Sequence, residues 1–368
     1  MNFYDLHHQI LKGTANGKTI WQPRIICWYE DREYTNQPLP PGYTGLDRKG
    51  LYEKLGVSDR LYQFNACFKA AYDDSIHVTR KKIDDLTEET VITTPVGTVN
   101  QIVRGNLSNP GSMPVKWFVE TEEDLKAYIY IEEHTTWHFD RDIYDRLFSD
   151  LGHLGLPAAF LCRTNIQNLI VSLAGVENTY YLLADCPDTV EAYFDALSKS
   201  QEGYLAAVLA SPLQWLNYGD NIHCKILPPS LLKKYVIPEY EKRRDIVKKE
   251  RDIFLYSHFD GDFRDYLPLL QDCALDGFEA LTPQPQGDVA VDEMIAALGP
   301  DLYLVDGVAA LLFSDLYPVS MLKDQVTQLL NRLEGRLILG ISDELPSDGL
   351  LERVCIVRDM VADFNAKR

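Results

Sequence analysis

His258 stands in Ser257-His258-Phe259-Asp260-Gly261-Asp262, directly after an apolar run that begins at Ile253. His258 and Asp260 are two positions apart, so at the end of an extended strand both side chains point the same way. Three later apolar runs end in a similar manner. The run from Gly277 contains Glu279 and ends in Thr282, the run from Leu302 ends in Asp306-Gly307, and the run from Arg336 ends in Ser342-Asp343-Glu344. Placed side by side, these ends bring one imidazole and several carboxylates to one mouth. Such a set suits Zn²⁺, Fe²⁺ or Mn²⁺. It also suits proton transfer, because neighbouring carboxylates push each other's pKa apart. Plainer roles compete with this one. An H-x-D pair arises by chance, and acidic residues after strands serve as helix N-caps. Asp262 reads as such a cap, and the same holds for Asp306 or Asp343. Glu279 is different, because a carboxylate inside a buried strand needs a partner or a ligated ion.

A second cluster, Gln214-Trp215-Leu216-Asn217-Tyr218-Gly219-Asp220-Asn221-Ile222-His223, mixes aromatic and polar residues. It reads as a substrate-binding loop in which Asn217, Tyr218, Asp220 and His223 would orient a small molecule. The alternative is an exposed loop whose aromatics pack on helices. The remaining histidines have no useful spacing. No G-x-S-x-G elbow, no G-x-G-x-x-G after a strand and no phosphate-binding G-x-x-x-x-G-K-[ST] is present. The charge run Glu239 to Asp252 reads as a solvated helix face.

The elements that must position these residues follow from the pattern. Arg24 to Tyr29 reads as a buried strand, and Gln37 to Tyr43 as a Pro/Gly loop. Leu51 to Leu55 is a short helix. Ile76 to Lys82 and Glu89 to Val103 read as strands, the second turning at Thr94-Pro95-Val96-Gly97-Thr98. Thr121 with Asp124 forms a capping box that predicts a helix start. Leu156 to Cys162 is a strand, and Asp188 to Leu209 a long helix entered through Pro187. After residue 250, strands near 253, 277, 302 and 336 alternate with helices at 263–273, 289–298, 315–333 and 350–364. That alternation predicts right-handed βαβ units and a parallel sheet. Short, evenly spaced strands ending in polar clusters favour a (β/α)₈ TIM barrel with an N-terminal extension over an open sheet. One domain is expected over 1–368, with residues 1–120 as extension and first barrel elements and 140–368 as the barrel body.

Composition narrows the function classes. The 368-residue chain carries a net charge of −19, which opposes binding to nucleic-acid phosphates. Its 46% hydrophobic and 25% charged content is that of a folded globular chain. No apolar run approaches the roughly 20 residues a membrane helix needs. Residues 1–21 carry Asp5 and two histidines and lack an apolar core, so no secretory leader is expected. Seven scattered cysteines without a C-x-x-C pair point to reduced thiols in a cytoplasm.

The motifs, taken in order, resemble the uroporphyrinogen decarboxylase superfamily over residues 90 to 365. The resemblance rests on Thr94-Pro95-Val96-Gly97-Thr98, Gly175-Val176-Glu177, Cys186-Pro187-Asp188, Tyr218-Gly219-Asp220-Asn221, Pro229-Ser230 and Pro238-Glu239-Tyr240. It continues through His258-Phe259-Asp260-Gly261-Asp262, Leu304-Val305-Asp306-Gly307-Val308 and Gly340-Ile341-Ser342-Asp343. The family fold is a (β/α)₈ barrel. The decarboxylases' arginine-rich N-terminal segment and aspartate-bearing strand are not matched around Arg24 or Asp73-Asp74-Ser75, so porphyrinogen decarboxylation is not expected. The corrinoid-linked methyltransferase branch is the better match.

That branch binds zinc through H-x-C and a distant cysteine. Here His258 matches, while Asp260 and Asp343 stand where the cysteines would be. The resemblance therefore implies zinc or another divalent metal on His258, Asp260 and Asp343, perturbed toward harder, oxygen-bearing substrates. It implies an O-demethylase-type methyltransferase that moves a methyl group from a small methylated, methoxy-bearing substrate to cobalamin. No corrinoid-binding D-x-H-x-x-G motif is present, so the cobalamin would arrive on a separate corrinoid protein. His258 and Glu279 would be the catalytic residues. The rival reading is a metal-free lyase on the same barrel, acting on a small carboxylated substrate with His258 and Asp260 as acid and base. A non-catalytic corrinoid-binding or small-molecule-binding protein is a third.

Overall fold

The computed structural model describes residues 2–368. The chain divides into two compact units, one of residues 1–64, 144–160 and 213–368, the other of residues 65–143 and 161–212.

The first unit is built on seven strands: β1 (Ile20–Trp21), β2 (Ala158–Leu161), β3 (Trp215–Ile222), β4 (Phe254–Phe259), β5 (Gly277–Ala280), β6 (Tyr303–Ala309) and β7 (Leu337–Ser342). They form one curled sheet in the order β1-β7-β6-β5-β4-β3-β2. The pairs from β1 through to β3 are parallel, with His258 opposite Glu279, Ala280 opposite Asp306 and Asp306 opposite Leu339. This is the parallel α/β architecture expected from the alternation after residue 250. The expected closure into an eight-stranded barrel is not seen: among the described residues no ladder joins β1 to β2.

Every residue of β4, β5 and β7 is buried, as required of strands covered on both faces. The strand starts enclose an apolar layer. Phe3, Leu6 and Ile10 of the helix Phe3–Leu11 pack there with Ile20, Ala158, Trp215, Phe254, Val305 and Ile338. Burial of this amphipathic helix face, at ~25 cal/mol per Å², holds the helix across the strand starts.

Further expectations change. Arg24 to Tyr29 is not a strand. Ile26–Tyr34 is a helix, and the strand lies earlier, at Ile20–Trp21. A short apolar run has no period long enough to separate the two. Gln214 to His223 is not a loop but contains the buried strand β3. Its buried Asn217 and Asp220 are tolerated because each is hydrogen-bonded, as described below. The 3₁₀ segment Arg264–Asp272, with Pro268 inside it, replaces a regular helix after β4. The helix expected over 315–333, with a break near Pro318, begins just after that proline, at Val319.

The second unit contains the helices Glu122–Glu133 and Pro187–Ala210 and two antiparallel sheets. Thr121 and Asp124 form the expected capping box. The expected hairpin is present, with Thr87–Thr94 paired to Gly97–Gly105. No helix of the described residues is long and apolar enough to cross a membrane.

Candidate metal centre

Alternation along β4 turns Phe254, Tyr256 and His258 to one face, and along β3 Trp215 and Asn217. At the carboxyl end of the sheet, His258, Asp260 and Asp343 meet. Each offers a ligand atom, and these atoms all lie within 4.8 Å of one another. His258 Nε2 is 3.9 Å from Asp343 Oδ2. His258 is buried, and Asp260 and Asp343 are half-buried.

Each of the three side chains is held from one side by other residues of the chain. His258 Nδ1 bonds Glu279 Oε2 at 3.0 Å. With Glu279 ionised, Nδ1 donates to it, which turns Nε2 toward Asp343. Asp260 Oδ1 accepts from Thr282 Oγ1 at 2.9 Å and from the Gly261 amide at 2.6 Å. Asp343 Oδ1 accepts from Arg24 Nη1, whose Nη2 reaches Glu344 Oε1 at 2.9 Å. An imidazole nitrogen and two carboxylates, each oriented from behind, form a donor set that fits a divalent cation of the zinc, iron or manganese type.

Glu279 does not join the three. It lies behind His258, 1% exposed, and accepts from Arg60 Nη1, Tyr62 OH and Asn217 Nδ2. Burial alone would raise its carboxyl. Arg60, the His258 bond and Arg24 reverse this and hold it well below the usual range. Asp306, expected at the rim, lies deeper, where its carboxylate pairs with Arg60 Nη2. Val305 belongs to the apolar layer, so strict alternation would turn Asp306 away. At φ 77° the backbone breaks the alternation. Gly340 is required beside it, because a Cβ there would collide with the Asp306 carboxylate. Burial pushes Asp306 up to about 6 against the pull of Arg60, which it shares with Glu279. Arg60 is completed by Gln22 Oε1, which accepts from its Nε at 2.8 Å.

The second cluster is divided by the strand. Asn217 faces Glu279 and Tyr62. Tyr218 and Asp220 instead face the helix Ile237–Glu250, where Tyr240 OH donates to Asp220 Oδ2 at 2.5 Å and the Tyr218 and Tyr240 rings lie 4.5 Å apart. His223 sits past the strand end, with Nδ1 accepting from the Lys225 amide at 3.1 Å and its ring against Gly261. The structure thus brings Asn217 to the centre and leaves Tyr218, Asp220 and His223 in other bonds. Arg24, Arg60 and Tyr62 carry no role in the sequence reading, and Thr282 enters it only as the end of the run from Gly277. Arg60 lies in an irregular segment with no period, and its carboxylate partners are 219 and 246 residues away.

No protein-family model matches the sequence, and no curated relative matches it. Solved structures resemble the chain. A methyltransferase from Methanosarcina mazei aligns over 97% of this chain and 97% of its own, at a TM-score of 0.57 and 13% identity. A putative vitamin-B12-independent methionine synthase from Listeria monocytogenes aligns over 61% of this chain and 69% of its own, with a TM-score of 0.39 and 14% identity. The first likeness is one of fold, extending over nearly the whole chain.

Proposed function

We propose that this protein is a metal-dependent methyltransferase that takes a methyl group from a small methoxylated substrate and passes it to cobalamin on a separate corrinoid protein. The observation that carries the reading is the convergence of His258, Asp260 and Asp343, each anchored from behind. The motif resemblance to corrinoid-linked methyltransferases supports it, as does the shared fold with the Methanosarcina methyltransferase.

A divalent ion held by His258, Asp260 and Asp343 would supply Lewis acidity to the leaving oxygen. Glu279 keeps the His258 ring oriented and its Nδ1 protonated. Asn217 and Tyr62 hold Glu279 on its other side, with Tyr62 stacked on Phe160 at 4.3 Å. In such a transfer the C–O bond would break with its electron pair left on oxygen, and a reduced corrinoid on its own protein would supply the pair for the new bond to the methyl carbon. Co(I) is a strong nucleophile, so the work left to this chain is stabilising charge on the leaving oxygen. The seven cysteines are free thiols, which accords with a reducing, cytoplasmic setting.

Elemental analysis of the purified protein tests the metal, and methylcobalamin absorbance tests the transfer. A reduced corrinoid protein and a panel of methoxylated aromatics and methylamines should yield methylcobalamin. His258→Ala should lose both the metal and the transfer. Release of CO₂ from a carboxylated substrate by metal-free protein, with no methylation from any donor, would replace this reading with the lyase.

A further inference from the structure

Arg24 is the first charged residue after β1, and it is fastened twice to the turn that follows β7. Its carbonyl accepts from the Leu345 amide at 2.9 Å. Its guanidinium donates to Asp343 through Nη1 and to Glu344 through Nη2. Nη1 also lies 3.9 Å from Glu279 Oε1, and the guanidinium carbon lies 5.5 Å from the centre of the Tyr62 ring. The Arg24 side chain is 11% exposed, against 35% for Asp343 and 29% for Glu344. The Asp343 side chain is 35% exposed against 7% for His258, and a carboxylate so exposed turns freely unless something fixes it.

Two effects of Arg24 on a cation at this site oppose each other. Its positive charge repels a divalent ion. Its planar fork, gripping two successive carboxylates, fixes which Asp343 oxygen turns toward His258 Nε2. The charge is offset by Glu344 and Glu279 in addition to Asp343, so the repulsion is largely cancelled before an ion arrives. The orientation is cancelled by nothing. Thr282 and Glu279 perform the same task for Asp260 and His258, which makes Arg24 the third member of a matching set.

We propose that Arg24 is a positioning residue of the metal centre: it presents Asp343 Oδ2 toward His258 and holds Glu344 out of the donor set. The inference rests on the metal reading of the proposed function. Removal of a residue that orients a metal ligand costs about 10–100-fold in affinity.

The test is zinc affinity of the full chain, stripped with a chelator and titrated against a chromophoric competitor. The Co²⁺ absorption spectrum serves as a signature of coordination, and unfolding in EDTA shows that each variant is folded. Arg24→Gln should lose about 10–100-fold in zinc affinity and alter the cobalt spectrum. Arg24→Lys keeps the charge without the fork and should recover only part of the loss. Added guanidinium should restore binding to Arg24→Ala. Should Arg24→Gln not fold, Glu344→Ala removes one arm of the grip while leaving Arg24 and Asp343 intact, and should weaken zinc several-fold. Arg24→Gln or Glu344→Ala binding zinc as tightly as the unaltered chain, or more tightly, overturns the proposal, because the grip on Asp343 would then contribute nothing to binding. His258→Ala separates the two levels. If the unaltered chain and His258→Ala both fail to bind zinc, cobalt or manganese, the metal reading and this inference fall together. If only the Arg24 and Glu344 variants are without effect, this inference falls alone.

Discussion

Two charged regions lie within one sheet, and they use carboxylates in opposite ways. In the buried region, Glu279 and Asp306 share Arg60, all three at 4% exposure or less, and Gln22, Tyr62, Asn217 and His258 complete the bonding. At the rim, Asp260 and Asp343 are half-buried, and each is fixed through one oxygen. The buried carboxylates have a cation supplied by the chain, whereas the rim pair is arranged around a position that a cation from solution can take. The difference teaches that charge in a barrel-like interior is assigned by depth. Below the mouth, an unmatched carboxylate would cost several kcal/mol. At the mouth, water lowers that cost and lets two carboxylates face one point.

The largest expected effect breaks this contrast at its deeper side. Arg60→Met leaves Glu279 and Asp306 buried without their cation. Breaking a buried pair in this way costs about 3–5 kcal/mol. Asp343→Asn at the rim, measured in EDTA, should cost about 1 kcal/mol, because the side chain reaches water and an Asn amide oxygen still accepts from Arg24. Urea unfolding of both variants gives the two numbers. Equal losses would mean that the rim is as structural as the interior.

The contrast was half legible in the sequence. The strand ends bearing His258, Asp260, Asp306 and Asp343 follow short apolar runs, and the regular alternation of such runs with helical segments marks them as strands. Glu279 announced itself as a carboxylate inside an apolar strand, and its burial with partners follows from that. The cation that matches it was hidden, because Arg60 precedes a 3₁₀ segment, Tyr62–Cys67, and carries no periodic signal. Tyr218 and Asp220 were read with Asn217 because all three are neighbours in sequence. The two-residue period of a strand separates them, sending Asn217 inward and Tyr218 toward Tyr240. Arg24 was hidden for the same reason as Arg60: its partners, 319 and 320 residues away, are brought to it only by the pairing of β1 with β7.

A smaller effect sharpens the rim. Thr282→Val keeps the shape of the side chain and removes the hydroxyl that donates to Asp260 Oδ1. Zinc affinity should fall by about 10-fold, the low end for an orienting partner, because the Gly261 amide still holds the same oxygen. Stability in EDTA should change by under about 1 kcal/mol, the size of one exchanged hydrogen bond. A loss of stability with unchanged affinity would place Thr282 in the structural region rather than at the rim.

The smallest effect tests the rule of depth in the second unit. Glu132, on the helix Glu122–Glu133, is half-buried, and burial pushes its carboxyl up to about 7, while a hydrogen bond from Ser200 pulls the other way. Glu279, with two arginines beside it, moves in the opposite direction. The sign of the pH effect follows from proton binding. Between 4.5 and about 7 the folded chain keeps a proton on Glu132 that the unfolded chain releases. Stability from this group is therefore fully present below the unfolded pKa and is lost as pH rises through the folded one. A full shift of this size would be worth roughly 3 kcal/mol, and partial exposure reduces it to about 1–2 kcal/mol. Glu132→Gln keeps the hydrogen bond and cannot ionise, so it should be more stable than the unaltered chain at pH 8 and nearly equal at pH 4.5. Urea midpoints at the two pH values measure it. An equal gain at both would show that packing rather than charge separates the variant from its parent, and that depth without a cation does not raise this carboxyl.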